Sequence, residues 1–563
     1  MLKGIGASAG IGIGKARKLI EKPIVYEDIT PVDPAAEKKR LEDAVQTFCM
    51  QNETRAKRMD AGGADGDILR GHIAMLSDPY MLSQMQEGID NGACAEKAVE
   101  TVCDMFITMF SATDDDLTRQ RAADVSDIKK QLQKILLGIE NVDLSCLPPE
   151  TVLIVEELTP SMTVELDREN VAGIVTEHGG RASHAAILSR SLKIPAVLSV
   201  ENALTLISSE EEIIVNGSTG EVFTDIDNIT RAQFVEEQKR SAEQAALEEQ
   251  YRGKPTVTKN GVEKKLYANI GSHKDLEAVL AGDAEGIGLF RTEFLFMDRN
   301  TAPTEEEQFE AYKTVAVGMH GKEVVIRTLD VGGDKDVPYM KLKHEDNPFM
   351  GFRAVRYCLA NPDAYKIQLR AILRASAFGN VAIMVPLVTR VDEICAVRAM
   401  VEELKDELDV QNIPYKKDIQ VGIMMETPAS CLIADLLAAH ADFFSIGTND
   451  LTGYIMAADR GNSDVGYLYS TFDPAVLRAI RHIIAVAARR GIPCGMCGEA
   501  AADLHMLPLL VSFGLDEFSV NPASVLSVRS ALATLDSAAC DVVAQKTLSM
   551  ESEAEISAYL SSL

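Results

Sequence analysis

Side chains that could bind an anion and a metal ion follow the predicted strands in the second half of the chain. A charged, amide or thiol group stands at or just beyond the end of several of these strands, at Arg291, Arg327, Glu426, Asn449, Asp450 and Cys497. If the strands form a (β/α)8 barrel, their carboxyl ends meet at one face, where functional side chains lie in this fold. We therefore expect these groups to converge on one rim.

Arginines dominate the positive charge of this predicted rim. Arg291 and Arg327, together with Arg353 and Arg460 from longer loops, could hold an oxyanion, because guanidinium pairs with carboxylate and phosphate through two parallel hydrogen bonds. The alternative interpretation is that they form ordinary salt bridges on the rim of the barrel.

Two carboxylates, Glu426 and Asp450, complement the arginines. Mg²⁺ favours hard oxygen ligands of this kind, keeps several waters and takes its remaining ligands from substrate oxygens. Arginines beside a magnesium site predict a small, phosphorylated, anionic substrate that is bound through Mg²⁺.

Cys494 and Cys497 form a CxxC motif, which is found in redox pairs and in zinc sites. The sequence has no second CxxC motif that would complete a four-cysteine zinc site. Because residues three apart on a strand point to opposite faces, only one of the two thiols can face the site. We expect Cys497 to be a proton donor or a nucleophile and Cys494 to pack in the core; a buried, inert Cys497 is the alternative.

A glycine turn followed by a helix characterises residues 179–191. Gly179 and Gly180 permit a tight turn, and Ser183 is a suitable N-cap. His184 would then stand at the helix N-terminus, where free N–H groups and the helix dipole favour a phosphoryl group on the imidazole. The same field favours the neutral, nucleophilic imidazole. His178, which precedes the glycines, is the alternative.

Several domains must position these groups, since 563 residues correspond to about three or four domains. The glycine-rich N-terminal strand has no core of its own, so we expect it to join a small α/β domain that a helical bundle interrupts. The periodicity of apolar residues predicts an α/β domain over 1–24 and 145–225, a helical bundle over 25–144, a helical linker over 226–254 and a barrel over 255–563.

Short apolar segments separated by helical patterns define the second half of the chain. The candidate strands are residues 266–268, 287–290, 324–326, 382–385, 420–424, 443–446, 493–496 and 517–520. This rhythm predicts a (β/α)8 TIM barrel, with a doubly wound open sheet as the alternative. The predicted fold class is therefore multidomain α/β, with a barrel, a small α/β domain and an all-helical insertion.

Composition excludes some classes of partner. The chain has 56 Lys and Arg against 85 Asp and Glu, a net charge of -29, which would repel a nucleic-acid backbone. No apolar run is long enough to span a membrane, the N-terminus does not resemble a signal peptide, and the cysteines show no disulfide framework. We expect a cytoplasmic protein with reduced thiols.

Several motifs, in order, resemble Enzyme I of the bacterial sugar phosphotransferase system, the family of phosphoenolpyruvate-protein phosphotransferases. The likeness spans essentially the whole chain and includes Gly71-His72-Ile73 in the helical insertion. Its motifs are GGRASH at 179–184, GLFRTEFLF at 288–296, GGDK at 332–335, ETPA at 426–429, SIGTNDLT at 445–452 and GMCGE at 495–499.

The resemblance implies that phosphoenolpyruvate phosphorylates His184, which passes the phosphoryl group to a histidine of the carrier protein HPr, and that pyruvate is released. Glu426 with Asp450 would bind Mg²⁺, and Cys497 would be the proton donor. HPr would dock on the helical insertion, and the barrel half would form a homodimer. Because His184 and the barrel rim lie in different predicted domains, we also expect one to travel to the other, with the linker as the hinge region. Phosphoenolpyruvate would be bound by Arg291, Arg327, Asn449, Asp450 and Arg460.

Three positions depart from the family pattern. Ala182 stands where Thr is usual, Gly453 stands where Gln is usual, and Arg70 stands where we expect an acidic residue on the carrier-facing helix. None of the three is a proposed catalytic group, so the departures concern the details of the site and of HPr docking.

Two other functions compete with this interpretation. A pyruvate phosphate dikinase or phosphoenolpyruvate synthase shares the phosphohistidine domain and the barrel but needs a nucleotide-binding domain upstream, and the sequence before Thr151 contains no Walker-type phosphate loop. A non-catalytic, phosphoenolpyruvate-sensing regulator could lose His184, Cys497 or a metal carboxylate, all of which are present. Which sugars are taken up downstream is not encoded in these motifs.

Overall fold

The computed structural model describes residues 1–563 except 20–23, 62–66, 112–115, 140–143, 145–146, 160–161, 163–165, 167, 181–182, 298, 300, 333–336, 341, 461 and 463. It divides into two compact units, Met1–Glu243 and Gln244–Leu563. Within the described residues, no helix combines the length and the apolar character that crossing a membrane requires.

An eight-stranded sheet forms the centre of the first unit. Its strands are β1 Leu2–Lys3, β2 Ile5–Ser8, β3 Ile11–Leu19, β4 Thr151–Val155, β5 Val171–Thr176, β6 Ala196–Leu198, β7 Glu212–Asn216 and β8 Glu221–Phe223. Their order across the sheet is β1-β8-β7-β3-β4-β5-β6-β2. The glycine-rich β3 pairs in parallel with β4 and antiparallel with β7, so the N-terminal strand lies inside this sheet.

A helical bundle occupies the chain between β3 and β4. Its helices are Pro34–Ala61, Asp67–Leu76, Pro79–Asp90, Ala95–Ser111 and Asp116–Leu137. The first helix begins where the sequence predicts, because the Asp33 side chain accepts hydrogen bonds from the backbone N–H groups of Ala35 and Ala36 at 3.0 and 3.2 Å. The bundle has a core of its own around Phe48, Met85 and Ile128.

The helices His184–Leu192 and Ala203–Leu206 also lie in the first unit, and the helix Asn228–Glu249 follows its last strand. The last of these lies in the segment predicted as a linker and buries none of its side chains. The boundary between the two compact units falls within this helix.

Eight parallel strands close into a barrel in the second unit, which confirms the predicted barrel and excludes the open sheet. Each strand overlaps one of the predicted segments. The strands are β9 Lys265–Ile270, β10 Ile287–Arg291, β11 Glu323–Arg327, β12 Asn380–Val385, β13 Val421–Met425, β14 Phe444–Ile446, β15 Cys494–Met496 and β16 Glu517–Val520.

Amphipathic helices surround the barrel. Pro474–Arg490 shows why they form: Asp473 caps its start, accepting from the N–H of Ala475 at 2.8 Å, and Gly491, in the left-handed region, ends it. Its buried residues include Leu477, Ile480 and Ile484, which recur at helical spacing. The helices of this unit are Leu276–Ala281, Glu305–Gly318, Ala354–Ala360, Pro362–Ala375, Val391–Gln411, Pro428–Leu432, Ala434–Leu437, Thr448–Met456, Pro474–Arg490, Leu507–Phe513, Val525–Thr534, Ser537–Leu548 and Glu553–Leu560.

The barrel interior is apolar in the layer next to Cys497. Side chains from neighbouring strands and loops meet there, namely Leu289, Val325, Ala382, Met384, Met424 and Phe443. This layer is a packed core and not a channel, as is usual for the fold. Polar chemistry is therefore confined to the ends of the strands.

One half-buried acid at the amino end of the strands generates a prediction about stability. Burial, followed by the nearby Glu323 carboxylate, raises the pKa of Glu517 to about 8. The folded chain thus holds a proton that the unfolded chain releases near pH ~4.3. The stabilisation is complete below that pH and is lost as the pH rises through the folded pKa.

We expect the Glu517→Gln variant to lose this component of the pH dependence, so that its unfolding temperature falls less between mildly acidic and mildly alkaline buffer than that of the wild type. Thermal unfolding of the full chain at several pH values measures the effect. Glu402→Gln, at an exposed position of the same unit, is the control. Equal slopes for Glu517→Gln and the wild type would contradict the prediction.

Candidate active site

The ends of the barrel strands carry most of the predicted site residues. Arg291 and Arg327 end β10 and β11 and stand opposite each other in the ladder. Glu426 directly follows β13, and Cys497 directly follows β15. Asn449 and Asp450 lie in the first turn of the helix Thr448–Met456, just after β14. The parallel strands thus bring these residues to one rim, which we call the carboxyl-end rim.

A buried aspartate that the sequence analysis missed joins two of the predicted arginines. Asp330 accepts hydrogen bonds from Arg353, with Nη2 at 2.8 Å from Oδ1 and 2.9 Å from Oδ2 and Nε at 3.1 Å from Oδ1. Its Oδ2 also lies 3.2 Å from Nη1 of Arg327. The side chains of all three residues are nearly fully buried. The one signal in the sequence is that Asp330 follows Arg327 by three residues.

Glu293 is the second carboxylate that the sequence analysis did not assign. Arg327 donates from Nη2 to Glu293, and the hydroxyl of Thr292 donates to the backbone oxygen of Arg327 at 2.8 Å. The loop after β10 is therefore fastened to the end of β11. Burial alone would lower the pKa of Arg327, but the Glu293 and Asp330 carboxylates raise it above its ordinary value, so the guanidinium stays charged.

Glu426 is buried at the centre of the carboxyl-end rim. Its Oε1 accepts the backbone N–H of Leu387 at 2.5 Å. Burial raises the pKa of Glu426 to about 8, and the neighbouring carboxylates Asp450 and Asp330 act in the same direction, against Arg327 and Arg353. A cation between Glu426 and Asp450 would relieve this repulsion. The donor set is thus of the kind that Mg²⁺ prefers.

Asp450 connects the carboxylates to the arginines and to a cavity. Its Oδ2 lies 3.3 Å from Nη2 of Arg353. Asp450, Asn449 and Arg460 line a cavity of about 370 Å³, together with Tyr454. Gly453, one of the departures from the family pattern, also lines it. The cavity is large enough for a small anion beside the metal-type carboxylates.

Asn449 fastens two neighbouring loops of the rim. Its Oδ1 accepts the backbone N–H of Glu499 at 3.2 Å, and its Nδ2 donates to Oε1 of Glu499 at 3.3 Å. Close packing there also requires glycine at position 498, where a Cβ would lie 1.9 Å from Oγ1 of Thr448. The loop that carries Cys497 is therefore held against the helix that carries Asp450.

Cys497 and Cys494 are both buried free thiols. Sγ of Cys497 donates to the backbone oxygen of Ile446 at 3.8 Å. Burial raises the pKa of Cys497 to about 12, while the neighbouring Ser445 hydroxyl and Arg327 act in the opposite direction. A thiol that keeps its proton at neutral pH suits a proton donor better than a nucleophile.

Arg291 and Arg460 differ from the two buried arginines because both are exposed. The guanidinium of Arg291 lies over the ring of Phe294, 5.4 Å from its centroid. The arginines of the rim thus form two classes: Arg327 and Arg353 are paired inside the protein, and Arg291 and Arg460 face solvent.

His184 is the first residue of the helix His184–Leu192 in the first unit, as the sequence predicts. The N-cap is Ser183, whose Oγ accepts the N–H of Ala186 at 3.3 Å. Gly179 has φ of +118°, a conformation that glycine adopts readily. The side chain of His184 and residues 181–182, including Ala182, lie outside the described residues. The alternative His178 follows β5 and lies 3.8 Å from Glu156.

Three family models match the chain. "PEP-utilising enzyme, N-terminal" matches residues 3–121, "PEP-utilising enzyme, mobile domain" matches 147–220, and "PEP-utilising enzyme, PEP-binding domain" matches 245–537. His184 falls within the second match, and the carboxyl-end rim falls within the third.

Similar proteins cover the chain almost completely. Phosphoenolpyruvate-protein phosphotransferase of Bacillus subtilis is 42% identical over 562 residues, covering 99% of each chain. The protein of that name from Listeria innocua is 42% identical and covers 99% of this chain and 98% of its own. The one from Lactococcus lactis is 43% identical, with coverage of 98% and 96%.

The shared aspartate of the rim generates a prediction. Removing one partner of a buried ion pair leaves an uncompensated charge and costs about 3–5 kcal/mol. We therefore expect Asp330→Ala to lower the unfolding temperature of the barrel by several degrees, as measured by calorimetry of the full chain.

The control is Asp392→Ala. Nε of Arg390 lies 2.8 Å from Oδ1 of Asp392, the same separation as between Nη2 of Arg353 and Oδ1 of Asp330. Both side chains of the Arg390–Asp392 pair, however, are about two-thirds exposed or more. Solvent screens an exposed pair, which therefore contributes little to stability, so this variant should unfold like the wild type. Equal effects of the two substitutions would contradict the prediction.

Proposed function

Because the chain belongs to the Enzyme I family of phosphoenolpyruvate-protein phosphotransferases, we propose that it transfers the phosphoryl group of phosphoenolpyruvate to His184 and on to a histidine of the carrier HPr. It is a transferase that uses phosphoenolpyruvate. The observation that carries the residue assignment is the convergence of Arg327, Arg353, Glu426, Asp450 and Cys497 on one rim within residues 245–537.

Arginines of both classes contribute to substrate binding. The exposed Arg291 and Arg460 receive the anionic groups of phosphoenolpyruvate, and Asn449 and Asp450 line a cavity together with Arg460. Arg327 stays charged next to Glu293 and Asp330 and is available to stabilise charge at the rim. Arg353 is engaged by Asp330 and Asp450, so its role is to hold these carboxylates in place and to add positive charge to the substrate site.

Glu426 and Asp450 would hold Mg²⁺. The fit rests on the donor set: burial and the neighbouring carboxylates Asp450 and Asp330 raise the pKa of Glu426 to about 8, and a divalent cation bound between Glu426 and Asp450 would relieve this repulsion. When bound, Mg²⁺ supplies charge neutralisation for the oxygens of the substrate. The remaining chemistry belongs to side chains of the chain.

Phosphoryl transfer to His184 needs positioning and charge neutralisation more than covalent assistance. A ring nitrogen of His184 forms the new N–P bond as the bond between phosphorus and the enol oxygen breaks. The products are phosphohistidine and the enolate of pyruvate. Arginines that remain charged in a buried site can stabilise the negative charge that develops on the leaving oxygen.

Cys497 completes the reaction by protonating the enolate. The thiol proton moves from Sγ to the methylene carbon, which yields pyruvate and a thiolate, and solvent then returns a proton to sulfur. The raised pKa of Cys497 keeps this proton available at neutral pH.

The further assignments rest on the same family. His184 and the rim belong to different compact units, so transfer requires that they meet, and we assign the hinge to 226–254 between the α/β domain (1–24 and 145–225) and the barrel (255–563).

HPr docks on the bundle, 25–144. The net charge of -29 would attract a less acidic carrier. A homodimer formed by the barrel and a cytoplasmic location remain predictions.

His184→Ala should abolish phosphorylation, because in the proposed function its ring nitrogen is the acceptor of the phosphoryl group. Incubation with radiolabelled phosphoenolpyruvate and Mg²⁺, without nucleotide, should give acid-labile label on the wild type and pass it to HPr. The matched control His178→Ala should label normally. Label that persists in His184→Ala would reject the assignment, and a strict requirement for nucleotide would favour a dikinase.

Cys497→Ala should slow enzymatic formation of pyruvate by about 10²–10⁴-fold, the contribution typical of a general acid. Affinity for phosphoenolpyruvate, measured by calorimetry with Mg²⁺, should stay within about twofold, because the thiol contributes no charge to the site. Cys494→Ala, at the other buried thiol of the CxxC motif, should retain the wild-type rate. An unchanged rate for Cys497→Ala would point to another acid.

A further inference from the structure

A side-chain amide on β9 holds the backbone of Cys497. Nδ2 of Asn269 donates to the carbonyl oxygen of Cys497 at 3.0 Å and to the carbonyl oxygen of Ser519 at 3.1 Å. The hydroxyl of Ser519 donates to Oδ1 of Asn269 at 2.6 Å. Since the two carbonyl oxygens can only accept, the NH₂ side of the amide must face them, and its oxygen is left to accept from Ser519.

The amide acts where the strand ladder has ended. The described pairing of β15 with β16 comprises Gly495 with Glu517 and Met496 with Phe518. Cys497 is the next residue, so its carbonyl lies just beyond that ladder. Asn269 supplies the hydrogen bond that a longer strand would have supplied, and in doing so it links β9, β15 and β16.

The other side of the Cys497 peptide is also held. Its N–H donates to the backbone oxygen of Ile446 at 3.1 Å, and glycine is required at the next position by the contact with Thr448. Ile446 and Thr448 belong to the β14 side of the rim, and Asn269 and Ser519 belong to the β16 side. The Cys497 peptide is therefore held from two parts of the rim: its N–H donates to the backbone on the β14 side, and its carbonyl accepts from the Asn269 side chain on the β16 side.

We infer that Asn269, oriented by Ser519, is a positioning residue that holds the Cys497 thiol where it can reach the methylene carbon of the pyruvate enolate. This inference rests on the proposed function, in which Cys497 is the proton donor. Asn269 donates both its amide hydrogens to carbonyl oxygens, so it acts on the reaction through Cys497. A displacement of about 1 Å costs a reaction about 10²-fold.

Exchange of the methyl protons of pyruvate in D₂O isolates the proton-transfer step. The Cys497 thiolate takes a proton from the methyl carbon, which leaves the enolate, and the thiol, after exchange with solvent, returns a deuteron to that carbon. NMR follows the loss of the methyl signal in the presence of enzyme, Mg²⁺ and phosphoenolpyruvate. Once the phosphoenzyme has formed, the rate of this exchange is not limited by phosphoryl transfer.

We expect Asn269→Ala and Asn269→Asp to slow the exchange by about 10- to 100-fold, while phosphoenolpyruvate affinity changes by less than about twofold. Asn269→Asp keeps the size of the side chain and replaces the amide donor. Ser519→Ala should slow exchange as well, and Ser519→Thr, which keeps a hydroxyl, should restore it. Asn380→Ala is the matched control, because Asn380 begins β12 at the other end of the barrel and accepts from Lys416 there.

Wild-type exchange in folded Asn269→Ala would overturn the inference. A loss of exchange accompanied by an equal loss of phosphoenolpyruvate affinity would also overturn it, since that pattern indicates a general collapse of the rim. Failure of the proposed function looks different: in that case wild-type protein itself forms no phosphoenzyme from phosphoenolpyruvate and exchanges no faster than Cys497→Ala.

Discussion

A buried aspartate shared by two buried arginines is the interaction on which the barrel rim depends. Asp330 accepts from Arg353 and contacts Arg327, and each of these arginines has a second carboxylate of its own, Asp450 and Glu293 respectively. Charges can be removed from water only when they are paired and hydrogen-bonded. The network thus keeps guanidinium groups charged inside the protein and sets where neighbouring carboxylates stand.

Hydrogen bonds from polar side chains likewise hold the loops of the rim together. Thr292 fastens the loop after β10 to β11, Asn449 fastens the loop after β14 to that after β15, and Asn269 fastens the end of β15 to β9 and β16. In a (β/α)8 barrel the scaffold ends where the ladder ends. Side chains must therefore supply the order of the catalytic face, and polar groups with two or more hydrogen bonds do so here.

The sequence predicts the barrel and the position of the rim residues well, because each strand is recognisable as a short run of apolar residues. The residue after each run then lies at the carboxyl-end face of the barrel. It does not reveal Asp330, Glu293 or Asn269. Glu293 and Asn269 have partners on other strands, and Asp330 binds Arg353 from a distant loop, so their roles depend on barrel closure and register, which no local pattern records. For Arg353 the sequence leaves two interpretations open, an anion ligand and a salt bridge on the rim; the structure shows the ion pair with Asp330, and binding of an anion stays a prediction.

Among the residues that the structure describes, the rim carries more carboxylates than buried arginines. Arg327 and Arg353 face Glu293, Asp330, Glu426 and Asp450. This excess of negative charge favours a proton on Glu426 and disfavours an incoming anion. An anionic substrate becomes compatible with the rim only when a cation joins the carboxylates and the exposed arginines at 291 and 460 face the anion. In the proposed function, phosphoenolpyruvate and Mg²⁺ therefore each depend on the other for binding. The negative charge of the rim repels other anions and so contributes to selectivity for phosphoenolpyruvate.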